Sequence, residues 1–330
     1  MVQLTCPNQW DGTDAIEFVN ELANAVHAEE LCVDFRTVEF AKPFGTLIIA
    51  NGLRRLVAER KTNKLQTSAQ LPKGDQGACS YLRHVGFFEY IGVSSGNRPG
   101  DAKGGKTYVP IRVVTSSELQ KASGGRALQM GVERLSDQLA DVVYPRITEQ
   151  IMMQYCLREI IRNVFEHGEI DSCTVLAQRY GNGWAEVAII DGGIGIHTSL
   201  SRAMPLTTVD DALRMAIMPG VSRVTQPQGA GEWENSGFGL YVLSELGRDL
   251  GEFTLASNGR FHCLSARPTG AIFGDLAVPG TAVKLLVNLE AADYFPNRLR
   301  QIVATGEQHH LRQNGTVKSA SKRSKSTKAS

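Results

Sequence analysis

The feature that most constrains the fold is a pair of apolar runs joined by a short glycine-rich turn. The runs cover residues 173–179 and 184–190, and Gly181-Asn182-Gly183 lies between them. An Asn-Gly turn between two such runs predicts a β-hairpin, whose strands pair antiparallel. We therefore expect a sheet in which these two runs are neighbouring strands.

Helix and strand patterns on either side of the hairpin predict an α+β domain. Apolar residues return at helical spacing over Ile147–His167, and the pattern ends at Gly168. Two more helices are predicted at 207–218 and 239–250, and three more strands at 253–257, 260–265 and 282–289. This order of elements predicts a mixed sheet that is covered by helices.

The first third of the chain predicts a smaller α/β domain. Residues 31–35 and 108–114 have the apolar character of strands, and residues 46–60 and 78–85 have the spacing of helices. Ser123-Gly124-Gly125 marks the expected junction with the second domain. The sequence therefore predicts one domain at 1–122, a second at 123–295 and a C-terminal extension at 296–330.

The formal charge of +1 conceals an acidic body and a basic tail. Residues 316–330 contain five Lys and Arg and no acid, so the 315 residues before them carry −4. A chain so close to neutral gives no global electrostatic argument for nucleic acid or an anionic membrane. The tail is rich in Lys, Ser, Thr and Ala, so we expect it to be disordered, with a dedicated binding patch as the alternative.

Composition and cysteine spacing argue against several other classes of protein. With 42% hydrophobic and 21% charged residues among 330, the chain is typical of a globular protein of about two domains. Its longest apolar runs are about seven residues, whereas a membrane span needs roughly 18. The six cysteines include no C-x-x-C pair, which argues against a zinc site. No secretory signal follows Met1, so we expect a cytoplasmic protein.

A polar face on the predicted helix Ile147–His167 is the first candidate for chemistry. Glu159, Asn163 and His167 stand at positions i, i+4 and i+8, which places them on one side of a helix. A carboxylate, a carboxamide and an imidazole over two turns could form a binding site. The competing interpretation is a solvated polar stripe on the helix surface.

A glycine-rich turn follows the second strand of the hairpin and reads Asp191-Gly192-Gly193-Ile194-Gly195. Glycines at the end of a strand let the backbone approach a ligand without obstruction by a Cβ atom. The Asp191 carboxylate could then accept a hydrogen bond from a ring amine such as the adenine amino group. By itself, a glycine-rich turn is only a weak indication of a binding site.

Two further glycine motifs precede a helix and a strand. Gly237-Phe238-Gly239-Leu240 opens the helix predicted at 239–250, and free amides at a helix N-terminus suit an anion such as phosphate. Gly280-Thr281 leads into the last predicted strand. Taken singly, the first motif is equally an ordinary glycine-rich loop, and the second is a turn.

The order and structural contexts of these four motifs resemble those of the GHKL ATPase superfamily. That superfamily includes histidine kinases, type II topoisomerases, mismatch-repair ATPases and a heat-shock chaperone class. The resemblance covers roughly residues 145–290, and no P-loop motif G-x-x-x-x-G-K-[ST] occurs. It implies a Bergerat-type α/β sandwich with a flexible lid before Gly237, and ATP and Mg²⁺ as cofactors.

The resemblance also implies a role for each motif residue. Asn163 would bind the Mg²⁺ that bridges the nucleotide phosphates, and Glu159 would orient or deprotonate the attacking water or hydroxyl. Asp191 would read adenine, while the role of His167 stays open between phosphate contact and packing. The other implied contacts are Gly193, Gly195 and Thr281 near the base and Gly237, Gly239 and Leu240 around the triphosphate.

Within the superfamily, the motif Asn163-Val-Phe-Glu-His167-Gly168 is similar to that of the anti-sigma-factor serine kinases. A two-component histidine kinase would instead carry a phospho-accepting His, followed by an acidic residue, on a dimerisation helix. The helix predicted at 126–143 contains no His, and His84 is followed by Val85. A self-phosphorylating histidine kinase is therefore disfavoured.

Residues 1–115 resemble STAS domains, the fold of anti-sigma-factor antagonists. The resemblance rests on the strand at 31–35, the break at Lys42-Pro43-Phe44-Gly45 and the apolar helix that follows. In that family a phospho-accepting Ser or Thr precedes the glycine, whereas Phe44 stands there in this chain and Thr46 is a weak substitute. A plain α/β scaffold is the competing interpretation.

Two functions of different classes follow from these motifs. The first is a Mg-ATP-dependent ATPase or protein Ser/Thr kinase in a partner-switching or signalling pathway, with Glu159 as the catalytic residue. The second is an ATP-gated protein-interaction module with little or no turnover. Both need ATP and a protein partner, and neither needs a membrane or nucleic acid. The sequence leaves open whether two chains pair as a homodimer.

Overall fold

The computed structural model describes residues 2–74, 77–122, 128–143, 147–221, 237–266, 271–290 and 295–314. These residues form helices and sheets of three and seven strands, with a further two-stranded pair, so the predicted α+β class is confirmed. No helix in these ranges is both long and apolar enough to cross a bilayer.

The N-terminal part is built on a three-stranded parallel sheet of order β1-β3-β5. Its strands are β1 (Val2–Thr5), β2 (Gln9–Trp10), β3 (Glu30–Asp34), β4 (Phe40–Ala41) and β5 (Gln66–Gln70), and β2 pairs with β4. Its helices are α1 (Thr13–Glu21), α2 (Pro43–Thr62), α3 (Gly77–His84) and α4 (Phe87–Tyr90), with a 3-10 turn at Leu22–Ala25. Parallel neighbours need crossover connections, which α1 and α2 supply.

Helix α2 begins at the break that the sequence places before the glycine. Pro43 occupies the first turn, where its missing N–H leaves no helical hydrogen bond unmade. Gly45 lets the helix lie directly on the chain at Trp10, because a Cβ atom at Gly45 would sit 2.2 Å from the Trp10 carbonyl oxygen. The glycine of the STAS-like pattern therefore has a packing role in this fold.

The C-terminal part is built on a seven-stranded sheet of order β11-β10-β9-β12-β8-β7-β6. Its strands are β6 (Tyr108–Thr115), β7 (Ser172–Arg179), β8 (Trp184–Asp191), β9 (Gly251–Ser257), β10 (Arg260–Ser265), β11 (Ala271–Asp275) and β12 (Thr281–Asn288). The predicted hairpin is confirmed as the antiparallel pair β7–β8.

The prediction of a mixed sheet is wrong, because every described pairing in the seven-stranded sheet is antiparallel. Strands β8 and β9 do run in the same direction, as expected for strands joined through helices. However, β12 inserts between them and pairs antiparallel with both. The last strand of the sheet therefore removes the parallel contact that the order of elements predicted.

Strand β6 lies at the edge of this sheet, although the sequence places it with the first domain. It pairs with β7, and the register shifts between Val109 and Arg112. Pro110 falls within this irregularity, where a residue without an N–H is tolerated. The predicted junction at 123–125 lies outside the described residues, as does the basic tail.

Helices cover one face of the seven-stranded sheet. They are α5 (Ser116–Ala122), α6 (Leu128–Val143), α7 (Ile147–His167), α8 (Gly195–Leu200), α9 (Val209–Ala216), α10 (Gly239–Leu250) and α11 (Phe295–Asn314). Apolar side chains of α6, α7 and α10 share a core with Val187 and Ile189 of β8. Helix α11 falls in the predicted extension and packs on α10, where the Tyr241 hydroxyl donates a hydrogen bond to the Ile302 carbonyl at 3.2 Å.

The N-terminal part covers the opposite face of the same sheet. Ala188 and Ile190 of β8 belong to the core that contains α2. Glu186, nearer the start of β8, is also buried. Its carboxylate accepts a hydrogen bond at 2.8 Å from the backbone amide of Phe44, at the start of α2. Lys284 of β12 is 4% exposed and forms an ion pair with Glu252. Its positive charge also acts on Glu186, where it opposes the rise in pKa that burial causes. A buried charge cluster thus joins the two parts of the protein.

Replacement of Lys284 tests this cluster. We expect Lys284→Met to lower the free energy of unfolding by about 3 to 5 kcal/mol, because the buried Glu186 and the half-buried Glu252 lose their cation. The double variant Lys284→Met/Glu186→Gln should recover part of the loss, since one of these charges is then absent. Urea denaturation followed by circular dichroism measures both changes, and a single variant as stable as the parent would contradict the role of the cluster.

Candidate functional site

The sequence-predicted site residues come together around one cavity between α7, the end of β8 and the start of α10. Counted together with its solvent-open mouth, the space between these elements is about 880 Å³. Among the described residues, the predicted ones that line it are Glu159, Asn163, His167, Asp191, Gly195, Gly237, Gly239, Leu240 and Thr281. Gly193 lies next to the cavity but is not part of its lining.

The predicted polar face of α7 forms one wall of the cavity. Glu159, Asn163 and His167 all line it, while Leu157 and Ile161 on another side of the helix are buried in the core. Glu159 is 2% exposed, and the other two side chains are half-buried. This face of α7 is therefore not a solvated stripe.

Two arginines hold the Glu159 carboxylate. Its Oε1 atom accepts hydrogen bonds from Arg158 and Arg162, each at 3.3 Å. Burial raises the pKa of Glu159, and the positive charges of Arg162 and Arg158 act in the opposite direction. Arg162 also forms an ion pair with Glu166 at 2.8 Å. Sequence reasoning missed both arginines, because a basic residue next to a glutamate on a helix is common.

The Asp191 carboxylate is held at the end of β8 by backbone amides. Its Oδ1 atom accepts hydrogen bonds from the amides of Gly193 at 2.7 Å and Thr281 at 3.3 Å. The residue is 5% exposed, and burial raises its pKa from 3.8 to about 6 against the effect of these hydrogen bonds. The pKa of Asp191 is therefore set by desolvation and by hydrogen bonds, and not by a nearby positive charge. Such a carboxylate favours a ligand that brings a hydrogen-bond donor.

Close backbone packing explains two glycines around Asp191. A Cβ atom at Gly193 would sit 2.2 Å from the Gly168 carbonyl oxygen, so Gly193 packs the turn against the end of α7. A Cβ atom at Gly280 would sit 2.6 Å from Asp191 Oδ1. Since real Cβ contacts are essentially never this short, a side chain at either position would displace the carboxylate or its support.

Asn258, which the sequence analysis did not single out, supports the turn that carries Gly195. Its Nδ2 donates a hydrogen bond to the Ile194 carbonyl, and its Oδ1 accepts one from the His197 amide, both at 3.1 Å. Gly195 has φ +77° and lies against this side chain, because a Cβ atom there would sit 2.3 Å from Asn258 Oδ1. In the sequence, the Asn-Gly pair after β9 indicates only a turn. The contacts of Asn258 with the segment at Gly195 appear only in the structure.

Ser257 makes a second support from the same turn. Its hydroxyl accepts a hydrogen bond from the Ile196 amide at 2.9 Å and donates one to the Gly280 carbonyl at 2.7 Å. The hydroxyl therefore bridges the two backbone segments that surround Asp191. No local sequence signal marks it, because the bridged segments are far apart in the chain.

Helix α10 begins beside Glu159 of α7. A Cβ atom at Gly239 would sit 2.3 Å from the Cβ of Glu159, so this glycine allows the start of α10 to contact α7. Gly237 has φ +67°, and its carbonyl accepts a hydrogen bond from the Gly220 amide at 3.0 Å. Gly220 and Gly237 are therefore adjacent, while residues 222–236 between them, where the resemblance implies the lid, lie outside the described residues.

No family model, curated protein or solved structure matches this chain. The residues of the cavity itself therefore indicate its chemistry. It combines a desolvated carboxylate at one end, the amide-rich start of α10 at another and a polar helix face between them. This arrangement suits a ligand that carries a hydrogen-bond donor and an anionic group.

The raised pKa of the buried Asp191 predicts that the stability of the protein depends on pH. Between pH 3.8 and about 6 the folded state keeps a proton that the unfolded state has released, so the unfolding free energy falls as pH rises. We expect this residue to contribute a decrease of about 2 to 3 kcal/mol across that window. Asp191→Asn keeps an oxygen acceptor but cannot titrate, so the variant should lack this decrease.

Denaturant unfolding of both proteins at several pH values measures the difference between their stability curves. A difference that stays constant from pH 4 to pH 7 would contradict the burial of an ionisable carboxyl group at this position.

Proposed function

We propose that this protein binds Mg-ATP in the cavity and acts as a GHKL-type ATPase or protein Ser/Thr kinase in a regulatory pathway. The observation that carries the proposal is the environment of Asp191. Its desolvated carboxylate stands beside an apolar wall that includes Ile189, Leu255 and Val283. An adenine ring has a flat apolar face and an amino donor at its edge, so it matches both features of this end of the cavity.

The start of α10 supports the same proposal for the phosphates. Gly237 and Gly239 line the cavity, and amides at a helix N-terminus, together with the helix dipole, favour anionic groups. Asn163 lies on the α7 wall and offers a carboxamide oxygen. Mg²⁺ prefers oxygen ligands and is commonly held by few side chains together with phosphates and waters, so this residue fits the ion.

Glu159 is the residue proposed to act on the nucleophile. When bound, Mg-ATP would supply the phosphoryl group and the metal charge that phosphoryl transfer requires. Burial raises the pKa of Glu159, which makes its carboxylate a better base for a water or a hydroxyl group. Arg158 and Arg162 fix its orientation through Oε1.

The same two ion pairs favour a second candidate function, an ATP-gated interaction module with little or no turnover. Two guanidinium groups stabilise the ionised carboxylate and occupy one of its oxygens, which lowers its tendency to take up a proton. In that case, ATP would act by closing the predicted lid over the cavity. The N-terminal part, as a STAS-like domain, would then read a protein partner.

Asn163→Ala tests nucleotide binding. We expect the variant to lose measurable binding of Mg-ATP in isothermal titration calorimetry, because the metal-bridged phosphates lose their protein ligand. Asn297→Ala is the matched control, since Asn297 is an exposed asparagine of α11 away from the cavity. Equal affinity of Asn163→Ala and the parent would overturn the GHKL assignment.

Glu159→Gln separates the two candidate functions. If the protein is an enzyme, this variant should still bind ATP but lose phosphate release or transfer by about 100-fold or more, because the base is absent. The matched control is Glu166→Gln, which removes a different carboxylate from Arg162. Incubation with γ-labelled ATP and cell lysate distinguishes transfer, hydrolysis and binding without turnover.

Turnover that is equal in the parent and in Glu159→Gln would contradict the catalytic role of this residue. A parent that binds ATP with no release or transfer of phosphate would select the interaction module.

A further inference from the structure

The segment 275–281, which joins β11 to β12, connects the N-terminal part of the protein to Asp191. At its start, the side chain of Asn20 on α1 makes two hydrogen bonds to its backbone. Asn20 Nδ2 donates to the Asp275 carbonyl at 2.7 Å, and its Oδ1 accepts from the Ala277 amide at 2.9 Å. Arg55 of α2 donates to the Ala277 carbonyl at 3.3 Å.

The middle of the segment is buried in the N-terminal core. The side chains of Leu276 and Val278 belong to the same cluster of buried residues as α2. On its other side, the segment pairs with the turn after β9, where the Leu276 amide donates to the Gly259 carbonyl at 3.0 Å and the Gly259 amide donates to the Val278 carbonyl at 3.2 Å. This path between α1 and the turn is continuous.

The end of the segment reaches the cavity. Gly280 lies against Asp191, and the Thr281 amide donates a hydrogen bond to Asp191 Oδ1. The Gly280 carbonyl accepts a hydrogen bond from the Ser257 hydroxyl. A displacement at Asp275 or Ala277 would therefore be transmitted over a few residues to the carboxylate at the end of β8.

We infer that Asn20, assisted by Arg55, is a positioning residue for base recognition, because it holds the segment that places the Thr281 amide on Asp191. This inference rests on the proposed nucleotide site and adds the N-terminal part to the machinery that determines which base is bound. The ligand class is a purine nucleotide with an exocyclic amino donor. The N-terminal part is then a structural component of the site, in addition to any partner that it binds.

Base selectivity is the quantity that tests the inference. The parent should bind ATP about tenfold more tightly than purine riboside triphosphate, which lacks the amino group and leaves the carboxylate unpaired. We expect Asn20→Ala to reduce this ratio to about two, because the misplaced carboxylate discriminates less between the two ligands. A general loss of stability would weaken both affinities together and leave the ratio unchanged.

Two variants serve as controls. Asn20→Asp keeps the acceptor for the Ala277 amide and loses the donor, so its selectivity should lie between the parent and Asn20→Ala. Asn63→Ala removes an exposed asparagine at the end of α2 and should keep the parent ratio. If Asn20→Ala kept the parent's ratio of affinities for ATP and purine riboside triphosphate, the inference would be overturned while the proposed function stayed intact.

Hydrogen exchange of the Thr281 amide, measured by nuclear magnetic resonance without nucleotide, gives an independent readout. Asn20→Ala should speed this exchange relative to Asn63→Ala, because Thr281 then holds Asp191 less firmly. Equal exchange in the two variants would overturn the inference whether or not ATP binds. A parent that shows normal protection of Thr281 but binds no ATP would overturn the proposed function and, with it, the role in base recognition.

Discussion

The rest of the structure depends on the burial of strand β8 on both faces. Successive side chains of a strand point to opposite sides, so Val187 and Ile189 enter the core with the helices while Ala188 and Ile190 enter the core with the N-terminal part. A slip of one residue would exchange these two sets. Two unlike cores therefore fix the register of one strand, and the same register places Asp191 at the cavity.

The cavity contains two buried carboxylates with different partners, and this difference separates their chemistry. Asp191 is held by backbone amides, which orient it without supplying a formal positive charge. Glu159 is held by two guanidinium groups, which compensate its charge. The amides bring no formal positive charge to offset the desolvation of Asp191, whereas the two guanidinium groups offset part of the desolvation of Glu159.

The sequence predicts the elements whose signals are local. The helical period of the apolar residues predicts α7, and the Asn-Gly turn predicts the β7–β8 hairpin. Gly239 marks the start of α10. The polar spacing of Glu159 and Asn163 and the position of Asp191 after a strand are local as well. These patterns are sufficient to select nine of the residues that line the cavity, because each belongs to a single helix or strand end.

Contacts between distant segments decide the remainder. The sheet is antiparallel because β12 inserts between β8 and β9, and no local pattern in any of these strands contains that order. Asn20 and Asp275 are 255 positions apart, so their hydrogen bond could not be read from spacing. The sequence by itself determined a set of motif residues that line the cavity. Only the tertiary structure decided what holds Asp191 in place, because its supports come from three segments that meet after folding.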